Sequence, residues 1–259
     1  MEDKIRQWLN TGGFPLEMKF ANALLSYGFD VAQSVYFKDG ESGKYRETDI
    51  IANKYKYLSG QWIHVTFVVE CKRSDDKPWV ILKNNGLSNH LGNQLPIYCT
   101  TNANNFIQSV SEYTVYKSDL LFKNERSIGY SVQAAFNKGM DKSYESIQSV
   151  TKACEYFSSK LNERRNVCAF YFPILLVEGN LFEATYNNGE TEINKVSTSE
   201  ILLTRSFHEH GNSHIFLFDH SNLDSICKRL GLLADEFLEK YEKQLNKINS
   251  DTNDRKAYG

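Results

Sequence analysis

The sequence lacks a charge excess: 30 Lys and Arg stand against 32 Asp and Glu, a formal net charge of −2. A strongly basic chain would advertise a nucleic-acid or membrane surface, so here any affinity for phosphate must come from local patches. Cysteine is scarce and unpatterned. Five residues, an odd number without close CxxC spacing, argue against a disulfide framework or a structural zinc site. Cys71, Cys154 and Cys168 sit in apolar patterns and read as small core residues. No uninterrupted apolar run approaches membrane-spanning length, and MEDKIRQWLN has no apolar signal region. The expectation is a cytoplasmic protein with no membrane partner. Internal repeats and low-complexity tracts are also missing. What is present, 259 residues with 41% hydrophobic and 13% aromatic content, suffices to bury a full core as one large domain or a domain with an appendage.

Residues 46–72, RETDIIANKYKYLSGQWIHVTFVVECK, are rich in Ile, Val, Tyr, Thr and Phe around a Ser59-Gly60 pair. They predict two strands, 45–57 and 61–73, joined by a tight turn. With that tip, Leu58 opposes Gln61 and, counting back, Asp49 opposes Glu70 and Glu47 opposes Lys72. Directly opposed residues share a face with Cβ atoms roughly 4.5–5.5 Å apart, and Lys72 emerges on that face with Glu70. Ile63, Val65, Phe67 and Val69 form one face of the second strand, and Trp62, His64, Thr66, Glu70 and Lys72 the other. Like charges opposed on a sheet repel, yet Asp49 and Glu70 sit among Ile50, Ile51, Val68 and Val69. A hard divalent cation such as Mg²⁺, which takes one or two carboxylates plus water and phosphate oxygens, resolves the conflict. A neighbouring lysine would then stabilise developing negative charge. The plainer alternative is a solvated hairpin whose register is shifted by a bulge. Glu47 either pairs with Lys72 or substitutes as a ligand, and ion pairing is the favoured reading.

Upstream, Pro15 suits a first helical position and Gly28 a stop, with apolar residues at helical spacing between them. Glu17 shares a stripe with Phe20, Ala21 and Leu24 and is expected to point inward. Taken alone, a first-turn glutamate is better explained as a structural residue favoured by the helix dipole.

Asp49 followed by Glu70-Cys71-Lys72, and preceded by a helix carrying Glu17, resembles the PD-(D/E)xK nuclease superfamily. That superfamily includes type II restriction enzymes, archaeal Holliday-junction resolvases and Mrr-like restriction enzymes. RETDIIA followed by VVECK is especially similar to the resolvase and Mrr-like pattern. The motifs cover about residues 14–73, with Thr48 where the name of the motif has proline, and the strands up to about residue 187 resemble it more loosely. The resemblance implies a restriction-endonuclease-like αβββαβ core of α/β class, with a mixed central sheet flanked by helices. It implies Mg²⁺, with Mn²⁺ as a substitute, held by Asp49, Glu70 and the Cys71 carbonyl. Lys72 matches the catalytic lysine, and Glu17 completes the metal shell or serves a second ion. The implied activity is that of an endodeoxyribonuclease, a hydrolase of DNA phosphodiester bonds leaving 5′-phosphate ends, in restriction or defence against foreign DNA. A homodimer is an expectation by analogy. The rival, from another class, is a catalytically silent nucleic-acid-binding or scaffolding protein with the same fold; the presence of all four expected side chains argues against it.

The rest of the chain supplies supporting elements. Residues 141–163 predict an amphipathic helix with apolar residues at 144, 147, 151, 154 and 161. Gln148 and Lys152, one turn apart, are similar to the QxxxY motif of RecB-like relatives, which makes them nucleic-acid-binding candidates; the plain reading is a wet helix face. NVCAFYFPILLVEGNLFEATY predicts a hairpin, an apolar strand covered on both faces and a Gly179-Asn180 turn. The domain reading is a core over 1–190 with an insertion at about 74–128, a lid or a surface loop, and a C-terminal strand and helix extension over 191–259. Arg73 with Lys72, then Lys77 and Lys83, and farther on Lys160, Arg164 and Arg165, are the candidate phosphate patches. His208, His210, His214 and His220 tempt a zinc reading, but their spacing is poor for it. A Ser221 cap predicts a final helix to about Asn249.

Overall fold

The computed structural model describes residues 1–84, 97–109, 128–137, 139, 141–203 and 213–257. Ser59 and Gly60 both adopt positive φ, 48° and 85°, the pair of left-handed residues that lets a two-residue turn match the twist of its strands. They join β2 (Tyr45–Leu58) to β3 (Gln61–Lys83) with Leu58 opposite Gln61, and the ladder runs back to Ile50 opposite Val69. On the outer side β2 pairs antiparallel with β1 (Asp30–Lys38).

The partner of β3 on its other edge is β6 (Val167–Asn187), parallel to it from Trp62 opposite Val167 to Lys83 opposite Thr185. Val167 through Val177 are buried without a break, which is what a strand covered on both faces requires. The structure departs from the sequence expectation at two points. Gly179-Asn180 is not a turn. Gly179 lies inside β6 where the β3 register shifts, and a Cβ there would stand 2.5 Å from the Ser74 carbonyl oxygen. The chain reverses instead at Asn188-Gly189, with φ of 49° and 92°, into β7 (Glu190–Val196). Nor does β3 stop near residue 73. It bulges between Ser74 and Trp79 and continues through Pro78-Trp79-Val80-Ile81-Leu82, where it pairs with β5 (Gly129–Ala134). Between these, β4 (Tyr98–Cys99) adds to β6 and is followed by α3 (Thr101–Ser109).

β8 (Thr198–Leu203) and β9 (Ser213–Asp219) complete the strands. β5 touches β8 at Gly129 opposite Ile201, β8 pairs with β9, and β9 pairs with β6. Since β6 also pairs with β3, five strands, β3-β5-β8-β9-β6, close into a ring. The architecture is thus mixed α/β with a mixed sheet, and the closure is a feature that the sequence did not announce. The strands after residue 190 belong to this same sheet.

Helices cover both faces. On one side α2 (Phe14–Ser26) and α5 (Leu223–Ala257) bury Phe20, Leu24, Leu230 and Phe237 against Ile50, Val65, Phe67 and Phe172. On the other, α4 (Lys142–Leu161) buries Ile147, Val150 and Cys154 against Val68, Tyr171 and Leu175. Cys71, Cys154 and Cys168 are buried thiols, as expected. Tyr144, expected on the apolar stripe of α4, is instead 60% exposed, and Ser143 and Ser146 are buried. The first helix, α1 (Glu2–Thr11), buries no residue. At the other end Asp219 caps a short 3₁₀ turn, His220–Asn222, and Asn222 Oδ1 accepts the Ser225 N–H, so α5 starts after Asn222 and not at a Ser221 cap. No helix among the described residues is long and apolar enough to cross a membrane.

Closure of the ring demands glycine at one point. A Cβ at Gly129 would lie 2.4 Å from Ile81 Cγ2 and 2.9 Å from Ile201 Cγ2, closer than packed side chains tolerate. Gly129→Ala is expected to lower the unfolding free energy by about 1–3 kcal/mol, read from urea midpoints. Gly40→Ala, with nothing near its Cβ position, should change it by less than about 0.5 kcal/mol.

Candidate active site

The β2–β3 ladder ends at Ile50 and Val69, and the next residues on each strand are the two carboxylates. Asp49 is also passed over by the β1 ladder, which pairs Gln33 with Ile50 and Val35 with Thr48. Ser34, across from Asp49, has φ of 53°, a left-handed conformation that is uncommon for a non-glycine residue and concentrates at functional sites. With the ladder interrupted, the Cys71 N–H donates to Asp49 Oδ2 at 2.6 Å, and the Thr48 hydroxyl donates to the Val69 carbonyl at 3.3 Å. The Asp49 side chain therefore does what the missing backbone acceptor would have done.

Glu70 is 5% exposed. Lys72 Nζ donates to its Oε1 at 2.6 Å, and the Ser149 hydroxyl donates to its Oε2 at 3.2 Å. Glu17 comes from the first turn of α2 and is half-buried. It meets Asp49, Cys71 and Lys72 in the wall of a cleft of about 400 Å³, closed by Gly12 and Gly13, by Arg73, and by Lys142 and Glu145 of α4. Gly13 has φ of 83°, which a residue with a Cβ adopts only under strain. The structure thus brings Glu17, Asp49, Glu70, Cys71 and Lys72 together at one end of the ribbon.

The electrostatics of the site follow from that crowding. Burial, reinforced by Asp49 and opposed by Lys72, pushes the Glu17 carboxyl up to about 7. Burial likewise raises Asp49, against the Cys71 N–H and Lys72, and raises Glu70, against Lys72. Lys72 is raised too, for a different reason: burial by itself would lower its pKa, but the charge and hydrogen bond of Glu70 outweigh it and keep the ammonium protonated. Three carboxyl groups displaced upward with one lysine among them describe a site short of positive charge.

Glu17, Asp49 and Glu70 offer carboxylate oxygens, the donors that suit a hard cation, and the Cys71 thiol beside them is kept neutral by burial. Among the described residues no group of three or more His, Cys, Asp or Glu side chains is arranged to hold a metal ion. A hard cation such as Mg²⁺ is bound through one or two carboxylates together with water and substrate phosphate. Asp49 and Glu70 are the side chains that would hold it.

Other candidates fall elsewhere. Glu47 is exposed and takes a hydrogen bond from Tyr36, its neighbour across the β1–β2 ladder, and the ion pair of Lys72 is made with Glu70. Arg73 is exposed, lines the cleft, and donates to the Asn10 carbonyl at 2.6 Å, which secures the last turn of α1. Lys152 pairs with Asp39 at 3.4 Å and with Glu41, at the β1–β2 turn, so the structure engages this candidate in bracing that turn. Gln148 is half-buried on α4. The residue of that helix that reaches Glu70 is its neighbour, Ser149. Lys142, Glu145, Ser149 and Lys152 follow one another at helical spacing, and this polar stripe was the available signal for the side of α4 that faces the cleft. His214 is buried, with Nε2 3.1 Å from Glu200, which also pairs with Arg229; His220 is exposed, and His208 and His210 lie outside the described residues.

Comparison with known proteins identifies no relative: no family model, no curated protein and no solved structure matches the chain.

The Glu17 carboxyl sets a pH dependence. Its folded value of about 7 exceeds the ordinary 4.5, so the folded state binds more protons than the unfolded state between those limits. Stability of the metal-free protein is expected to fall as pH rises from about 4.5 to about 7, and Glu17→Gln should flatten that decline. Melting temperatures of both proteins across this range, in chelator, check it.

Proposed function

We propose that the protein is a metal-dependent nuclease that hydrolyses DNA phosphodiester bonds, with Asp49, Glu70, Lys72 and Glu17 as its catalytic set. The observation that carries this reading is the convergence of two strand carboxylates and a protonated lysine where the β2–β3 ladder opens, with a helix glutamate in the same cleft. The order α2-β1-β2-β3, then α4-β6, supports a restriction-endonuclease-like core, to which β4, α3, β5 and the ring closure are elaborations. That order and the motif spacing together support membership of the PD-(D/E)xK group better than either does alone.

Asp49, Glu70 and the Cys71 carbonyl would hold Mg²⁺, or Mn²⁺ in its place. When bound, the ion would polarise the scissile phosphate and lower the pKa of a water molecule. Lys72, kept charged by Glu70, offsets the negative charge that accumulates on the phosphate oxygens and orients the attacking water. Ser149 fixes the second Glu70 oxygen and so limits the rotation of that carboxylate. Glu17 anchors a water molecule at the edge of the cleft. Arg73 and Lys142 supply positive charge along the DNA backbone.

Incubation of the protein with plasmid, linear and branched DNA, and with RNA, under Mg²⁺ or Mn²⁺ tests the reading. Lys72→Ala and Asp49→Asn are each expected to lower metal-dependent cleavage by about 100-fold or more, and Ser149→Ala by about tenfold, with circular dichroism unchanged. Cleavage that survives Lys72→Ala, or binding without any turnover, would reject the enzyme reading, and the second outcome would favour a silent nucleic-acid-binding protein. Cleavage of RNA alone would reject the substrate.

A further inference from the structure

We propose that the outer end of the β2–β3 ribbon binds a single-stranded polynucleotide, with Tyr55, Tyr57, Trp62 and His64 as a base-stacking surface and Arg164 and Arg165 as phosphate contacts. The four rings form one contiguous cluster. Tyr57 and Trp62 stand opposite each other across the ladder with centroids 5.0 Å apart, Tyr55 and His64 form the next pair at 5.6 Å, and Tyr55 and Trp62 are joined diagonally at 5.6 Å. Cross-strand aromatic pairs stabilise hairpins by themselves, but these rings remain open to solvent: Tyr55 is 48% exposed, Tyr57 56% and Trp62 38%. The cluster is also held rigid at its inner edge, where Asn53 links His64 Nδ1 at 3.0 Å to the Thr66 hydroxyl at 3.0 Å.

Positive charge lies beside it. The turn between α4 and β6 carries Arg164 and Arg165, both exposed, and its Asn166 carbonyl accepts the Trp62 N–H at 2.8 Å. Arg164 is near enough to His64 to add to the effect of burial in lowering its pKa. Exposed rings next to unburied guanidinium groups are the elements by which proteins bind single strands without reading sequence. Trp62, His64, Glu70 and Lys72 lie an even number of residues apart along β3, so the cluster and the candidate active site share one face of that strand. Eight residues separate Trp62 from Glu70, about 26 Å at a strand's rise. The surface would thus receive a single-stranded arm of a substrate whose junction or end lies at the cleft. That last step rests on the nuclease reading; the binding itself does not.

Fluorescence anisotropy of labelled oligo(dT) and oligo(U), each roughly 20 nucleotides, with chelator present so that no cleavage occurs, separates the two. Affinity for either probe is expected to fall about tenfold or more in Tyr57→Ala/Trp62→Ala. In Arg164→Ala/Arg165→Ala it should fall with a log–log salt slope shallower by about 1.4. Lys72→Ala, although impaired in cleavage, should bind both probes within about threefold of the parent. Binding that both double variants retain in full, or no binding of either probe, would overturn the proposal whatever the outcome of the cleavage experiment. So would a dimer of the parent that Tyr57→Ala/Trp62→Ala breaks without any loss of oligonucleotide affinity, which would assign the surface to a second copy of the chain.

Discussion

The hydrogen bond from the Cys71 N–H to the Asp49 carboxylate is the point on which the site depends. It exists because the β2–β3 ladder ends at Ile50 and Val69 while β3 continues along β6. An opening between two strands leaves backbone donors that require an acceptor, and Asp49 supplies one without closing the gap. The gap then admits Glu17 from one side of the sheet and Ser149 from the other. Had the ladder continued, Asp49 and Glu70 would be a repulsive cross-strand pair; as it is, each carboxylate has its own donors.

Much of this was legible in the sequence, and for identifiable reasons. A two-residue turn with Ser59-Gly60 leaves one register for the ribbon as far as Ile50 opposite Val69, which brings Asp49 and Glu70 to its end, although the ladder stops before the expected pairs Asp49–Glu70 and Glu47–Lys72. Pro15 and Gly28 bracket α2 because proline is tolerated in a helix only in its first turn and Gly28 takes a φ of 77° that favours glycine. The errors have equally local causes. Gly179-Asn180 has the composition of a turn, but that glycine serves the close approach of the Ser74 backbone, a tertiary requirement with the same local signature. The true reversal at Asn188-Gly189, just beyond that stretch, carried the stronger turn signal. Reading β3 as ending near residue 73 separated it from Pro78-Trp79-Val80-Ile81-Leu82, which continue the same strand beyond a bulge. The ring closure rests on β5 and β8 meeting at one glycine, a contact between residues about seventy apart that no periodicity encodes.

The α4 helix shows how a small error in phase misplaces function. Gln148 and Lys152 have the spacing of a recognition motif, yet Ser149 touches Glu70 and Lys152 serves the buried Asp39, whose carboxyl is held well below its usual range. Burial opposes that depression, but the Ser42 and Glu41 N–H groups and Arg46 outweigh it. The same helix face thus runs from the cleft to the β1–β2 turn. It fixes Glu70 at one end and an internal ion network at the other, so the orientation of that catalytic candidate is coupled to the packing of an edge strand.

The parallel pairing of β3 with β6 joins segments about a hundred residues apart in the chain. During synthesis the hairpin bearing Asp49, Glu70 and Lys72 emerges early, with the backbone edge of β3 unpaired until β6 leaves the ribosome. Such an edge invites pairing with other nascent chains, and long-range parallel contacts assemble slowly. Yield in a cell would accordingly depend on how quickly translation delivers the later strand, and on whether a chaperone shields the waiting one.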